Sequence, residues 1–166
     1  LQSLQSSVAS AQPVVFTAWT ENEILRALKL ADELSLNVII SGAVEGWRVT
    51  DALRAADRPV LVSLDLRPRQ GPVGFGGGTG TDPIENPTSE DLDDAKANAG
   101  RLYSAGVTVA FTAAGLDHSA NYLENFRAAV DAGMSQDGAL RALTITPAEI
   151  LGVDGALGSL DVGKAA

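Results

Sequence analysis

Val14-Val15-Phe16-Thr17 and Val38-Ile39-Ile40 are the two stretches on which the fold turns. Each is a short apolar run rich in β-branched residues, the mark of a buried strand. Between them, Thr20-Glu21-Asn22-Glu23 has the form of a capping box, a hydroxyl at the N-cap and a carboxylate three residues on. Ile24, Leu28, Ala31 and Leu34 then fall on one helical face. Ser35-Leu36-Asn37 turns the chain into the second run. A strand, a helix and a strand in so short a span predict a parallel crossover unit.

The same grammar repeats downstream. A second helix is predicted from about Trp47 to Ala56, with Val49, Leu53 and Ala56 on one side. Arg58-Pro59 ends it, and Val60-Leu61-Val62-Ser63-Leu64 reads as a third strand. Residues 65–87 hold most of the Pro and Gly punctuation, including Gly74-Phe75-Gly76-Gly77-Gly78-Thr79-Gly80, and predict a long flexible loop. Thr88 and Asp91 open a helix through Leu92, Ala95, Ala99 and Leu102, stopped by Gly106. Val107 to Phe111 is the fourth strand. Tyr122, Phe126, Ala129 and Val130 mark another helix, ended by Gly133, and Ser135 starts a short one through Leu140 and Leu143. In Thr146-Pro147-Ala148-Glu149 the threonine is the expected N-cap and the proline the first helical residue, with Gly152 as the stop. Upstream, Leu1, Leu4 and Val8 have helical spacing, closed by Pro13.

The expected fold class is therefore α/β, with four parallel βα units. Such a sheet is either covered on both faces or closed as a barrel. A complete (β/α)₈ barrel needs at least ~200 residues. The 166 residues here read as one domain or fragment: a small open α/β domain, or the second half of a barrel.

Composition removes several function classes. Hydrophobic residues make up 45% and charged residues 20%, which is globular rather than disordered. No apolar run approaches the ~20 residues of a membrane span. The net charge of −9 repels phosphate backbones, and the only basic cluster, Arg67-Pro68-Arg69, is too short for a footprint. Neither nucleic acid nor an anionic membrane is expected as a partner. There is no cysteine, which excludes thiolate chemistry but chooses no compartment. One histidine, His118, cannot supply the two or three imidazoles of an ordinary zinc site.

Two stretches carry a resemblance. One runs from Gly106-Val107-Thr108-Val109-Ala110-Phe111-Thr112 through Glu124 to Ser135, then Ala139 to Val153, closing on Leu157-Gly158-Ser159-Leu160-Asp161-Val162-Gly163-Lys164. The other runs from Pro13 through Leu34 to Trp47. Together they resemble the second half of the amidohydrolase superfamily barrel, in its imidazolonepropionase-like branch. The resemblance implies a metal-dependent (β/α)₈ hydrolase of non-peptide C–N bonds, with zinc or another divalent metal lowering the pKa of bound water. It also implies ligands at C-terminal strand ends: a His-x-His pair on the first strand, one His each on the fifth and sixth, and an Asp on the eighth. The first pair would lie upstream. At the other three positions this chain carries Thr17, Gly42 and Ala114, so no metal ligand and no cofactor is expected from these residues.

The remaining candidates each have a plainer reading. Asp117 and His118 follow the fourth strand and are the nearest candidates for catalysis, although a lone loop histidine is usually solvated. Glu45, Asp65 and Asp117 lie near strand ends; converging, they would suit Mg²⁺ or Ca²⁺, and apart they are ordinary solvated carboxylates. The glycine run lacks the Lys of a phosphate loop and the third Gly of a dinucleotide fingerprint. Trp19 and Trp47 either line a pocket at the mouth or pack against its rim. Ser63, Ser104 and Ser119 have no nucleophile elbow around them. Three functions follow: a structural or ligand-binding segment of an amidohydrolase-like protein without catalysis of its own; an active hydrolase with a rearranged site completed upstream; or a free-standing binding module. The expected partners are the rest of its own polypeptide or a second copy, and possible small-molecule ligands.

Overall fold

The computed structural model describes residues 12–67, 88–116 and 121–165. The helix expected before Pro13, most of the glycine loop (68–87), and Asp117, His118 and Ser119 lie outside the described residues. The elements run β1 (Val14–Ala18), α1 (Glu21–Glu33), β2 (Val38–Gly42), a 3₁₀ turn (Gly46–Val49), α2 (Thr50–Ala56), β3 (Val60–Ser63) and α3 (Ser89–Ser104). Then come β4 (Val109–Thr112), α4 (Tyr122–Asp131), α5 (Gln136–Leu143) and α6 (Ile145–Ile150).

The four strands form one parallel sheet in the order β1-β2-β3-β4. That order settles what the sequence left open. Parallel crossovers are right-handed almost without exception, so strands laid down without a reversal put every helix on one face. The core agrees. Val38, Ile40, Val60, Val62 and Val109 share a cluster with Ile24 and Leu28 of α1, Leu53 of α2, Ala99 and Leu102 of α3, and Ala139 and Ala142 of α5. The opposite parity, Val15, Thr17, Ile39, Ser41, Leu61 and Ser63, faces away from the helices. A one-sided helical layer on consecutive parallel strands is the wall of a barrel. Among the described residues no helix is long and apolar enough to cross a membrane.

Four details depart from the expected elements. Leu34 is 56% exposed, because α1 ends at Glu33 and Ser35 turns left-handed (φ +51); Leu36 folds back and takes the buried place. Trp47 to Ala56 is not one helix but the 3₁₀ turn followed by α2. The fourth strand starts at Val109 rather than Val107. Gly106 (φ +86) ends α3 with its N–H on Tyr103 O, and the Val107 N–H is captured by Leu102 O, the paired closure of a Schellman motif. Thr146 is not an N-cap: α6 begins at Ile145, and Thr146 is buried within it. Pro147 is tolerated there because first-turn N–H groups have no helical partner to lose.

Candidate functional site

In parallel barrels the chemistry gathers at the C-terminal strand ends. Here that rim has two parts of different character.

The first lies at β1 and β2. Thr17 is exposed and pairs across the sheet with Ser41, and Ala18 pairs with Gly42. Gly42 has φ +105, a conformation side chains avoid. A Cβ built there would lie 3.0 Å from Ala18 O and 3.1 Å from both Cδ2 and Cε3 of Trp19. The indole, 7% exposed, thus lies flat against the glycine. The backbone around it is pinned. Trp19 N–H and Thr20 N–H donate to Glu23 Oε2 (2.8 and 3.2 Å), and Glu45 N–H donates to Trp19 O (3.0 Å). Glu45 Oε2 accepts from Glu21 N–H (2.9 Å), so this carboxylate serves the positive end of α1.

Behind this part sits a residue the sequence reading passed over. Asn98 of α3 is 1% exposed; its Oδ1 accepts from Trp47 N–H and its Nδ2 donates to Ala43 O, both at 2.8 Å. The signal was an amide set in the apolar stripe Ala95–Ala99–Leu102. The Trp47 ring lies under the Arg48 guanidinium (4.2 Å) and beside that of Arg101 (5.3 Å).

The second part lies at β3 and β4 and is polar. Ser63 Oγ donates to Ala114 O (2.6 Å) and accepts from Asp65 N–H (2.9 Å). Thr112 Oγ1 accepts from Ala114 N–H (3.2 Å). Asp65 is not the solvated carboxylate expected of a loop. It is 2% exposed and receives Arg67 in a two-pronged contact, Nε on Oδ1 (2.6 Å) and Nη2 on Oδ2 (2.9 Å). Arg67 Nη2 also reaches Gly115 O (3.0 Å), and Asn125 Nδ2 donates to Leu64 O (2.8 Å). Asp65, Leu66, Arg67, Leu92, Asn121 and Asn125 line most of a cavity of about 230 Å³. The aspartate and arginine two residues apart just past a strand were the readable sign of this pair; Asn125 gave none.

The expected residues that the structure describes are engaged elsewhere. Glu45 caps a helix, Asp65 holds an arginine, and Ser63 gives its proton to a carbonyl rather than to a base. Ser104 closes α3, away from this rim. Among the described residues no three His, Asp or Glu side chains are grouped to hold a metal ion. Thr17, Gly42 and Ala114 offer one hydroxyl, no imidazole and no carboxylate, and Gly42 has no room for a larger side chain. Among the described residues, the side chains at these three positions do not fit a hydrolytic metal centre. A second cleft, about 400 Å³, opens at the other end of β4 beside Arg141 and Glu149, where barrels carry stability rather than chemistry.

Comparison with solved structures places this geometry. The chain is similar to an amidohydrolase from Thermotoga maritima MSB8 (TM-score 0.74, 23% identity), which it matches over 99% of its own length and 39% of the other's. It is also similar to a Xaa-Pro dipeptidase crystallised with methionine in the active site (TM-score 0.66, 19% identity, 98% and 39%). An uncharacterized protein follows (TM-score 0.59, 19% identity, 95% and 38%). The chain therefore spans about 39% of the length of the first two structures. No curated protein matches it. Residues 80–166, slightly more than half of the chain, match the Amidohydrolase family, and with four consecutive parallel strands shaped like part of an amidohydrolase barrel the chain belongs to that family.

Proposed function

We propose that this chain is the second-half segment of an amidohydrolase barrel, of the imidazolonepropionase-like kind, and that it has no catalysis of its own. Its role on this reading is structural and ligand-accommodating within a longer polypeptide. The observation that carries it is the state of the three family ligand positions. Thr17 is exposed and has only a hydroxyl, Gly42 lies against an indole, and Ala114 has a methyl group and a backbone tied to Ser63 and Thr112. Members of this family usually depend on a metal, and a mononuclear centre needs about three protein ligands.

Two further observations support a larger whole. β1 and β4 each have a strand neighbour on one side only among the described residues, as the ends of a half-barrel would. The matched structures are more than twice as long. The rest of the polypeptide, or a second copy, would cover those edges. A small ligand would enter the cavity beside Arg67 and Asn125. Against the rearranged-hydrolase reading, Arg67 holds both oxygens of Asp65; Asp117 and His118, its nearest catalytic candidates, lie outside the described residues.

The test is metal analysis of the full-length protein after dialysis, alongside an assay on cyclic and acyclic amides. The expected result is no stoichiometric zinc and no hydrolysis above background. One tightly held zinc per chain, with hydrolysis abolished by chelator, would refute the proposal.

A further inference from the structure

We infer that the Trp19 indole occupies the space a strand-end ligand at position 42 would need, so this part of the metal site is closed by packing as well as by sequence. The inference rests on reading Gly42 as a former ligand position and gives that loss a physical cause. Three observations meet there. The ring atoms Cδ2 and Cε3 stand 3.1 Å from where a Cβ at 42 would be, tighter than nine in ten real Cβ contacts, so the ring would have to give by a few tenths of an ångström. The ring is buried, so neighbouring atoms limit where it can move. Its backbone is fastened on both sides, the N–H by the Glu23 carboxylate and the carbonyl by the Glu45 N–H. Moving the Trp19 backbone aside would mean opening the start of α1, so only a rotation of the side chain within its packed surroundings could clear the space. Returning an imidazole to 42 alone would not return a ligand, because the side chain and the indole compete for one volume.

A double-mutant cycle on the full chain tests this. Gly42→Ala and Gly42→His are each made with Trp19 present and in a Trp19→Ala background, and thermal midpoints are compared. The left-handed backbone at 42 and the Ala18 carbonyl burden both backgrounds equally and cancel. What is left is the ring. The drop in Tm caused by Gly42→His is expected to be at most about half as large once the ring is gone. Equal drops in the two backgrounds would overturn the inference. Should the histidine variants not fold, free indole supplies a second reading. Millimolar indole should raise the Tm of the Trp19→Ala protein by refilling the void, and should leave Trp47→Ala, whose ring lies between two guanidinium groups, unmoved. No shift with indole in Trp19→Ala would show that the ring fills no closed space and would refute the idea. Neither measurement involves zinc or hydrolysis, so this inference and the proposed function fail by different results.

Discussion

The two parts of the rim solve the same problem in opposite ways. Where β1 and β2 end, the chain fills space with hydrocarbon: an indole on a glycine, its backbone tied to helix-capping carboxylates. Where β3 and β4 end, it keeps polar groups, satisfies each against another, and leaves a cavity. The first solution is governed by volume and should be indifferent to salt and pH. The second is governed by charge and hydrogen bonding, and it alone retains room and donors for a ligand. The rim is thus packed in one sector and open in the next.

The contrast can be broken most directly at Trp19. Replacing a buried aromatic by alanine costs about 3–5 kcal/mol, and Trp19→Ala should show a loss of that order in urea titrations, independent of salt. A loss under about 1 kcal/mol would mean the ring is not a packing element. Asp65→Ala comes next. It leaves Arg67 without its buried partner, yet Arg67 keeps 41% of its side chain exposed, so solvent takes up part of the charge. The expected cost is about 2 kcal/mol. A double variant with Arg67→Leu should recover part of it; additive losses would show that the two side chains do not act as a pair.

Ser63→Ala should cost about 1–2 kcal/mol, since it strips one hydrogen bond from Ala114 O and another from Asp65 N–H. The same change should loosen the exit of β3, read as faster amide exchange at Asp65. Unchanged exchange would detach Ser63 from the polar sector.

The smallest effect concerns the helix beside the cavity. The Thr88 hydroxyl and N–H both donate to Asp91, holding its carboxyl below the ordinary 3.8. A carboxyl depressed in the folded state adds stability above its unfolded pKa, and loses that contribution as pH falls through the folded value. Asp91→Asn should therefore lower stability at pH 7 and flatten the acid limb, wild type and variant converging below about pH 4. An unaltered acid limb would separate this cap from the acid response.

Much of this was legible in the residues. The capping box at Thr88–Asp91 forms as the spacing implied, whereas at Thr20 only the Glu23 half is made and the Thr20 hydroxyl is left without a hydrogen-bond partner; all four strands lie within or beside the apolar runs. That Thr17, Gly42 and Ala114 carry neither imidazole nor carboxylate was readable too. Other features were not. Asp65 looked like a loop carboxylate because burial is set by what folds over a residue, here Arg67 and the end of β4. Thr146 looked like an N-cap because a Thr-Pro pair satisfies the same local rule at the helix start and inside the first turn.

The sequence by itself determined the order of strands and helices, their amphipathic faces and the absence of an imidazole or carboxylate at Thr17, Gly42 and Ala114. These depend on local spacing and on residue chemistry. Only the tertiary structure decided that the sheet is a barrel wall rather than a doubly covered sheet, because strand order is a long-range pairing that no local pattern encodes. It alone decided that the indole of Trp19 comes to rest on Gly42. Trp19 and Gly42 are far apart in the chain and meet only because β1 and β2 pair in register.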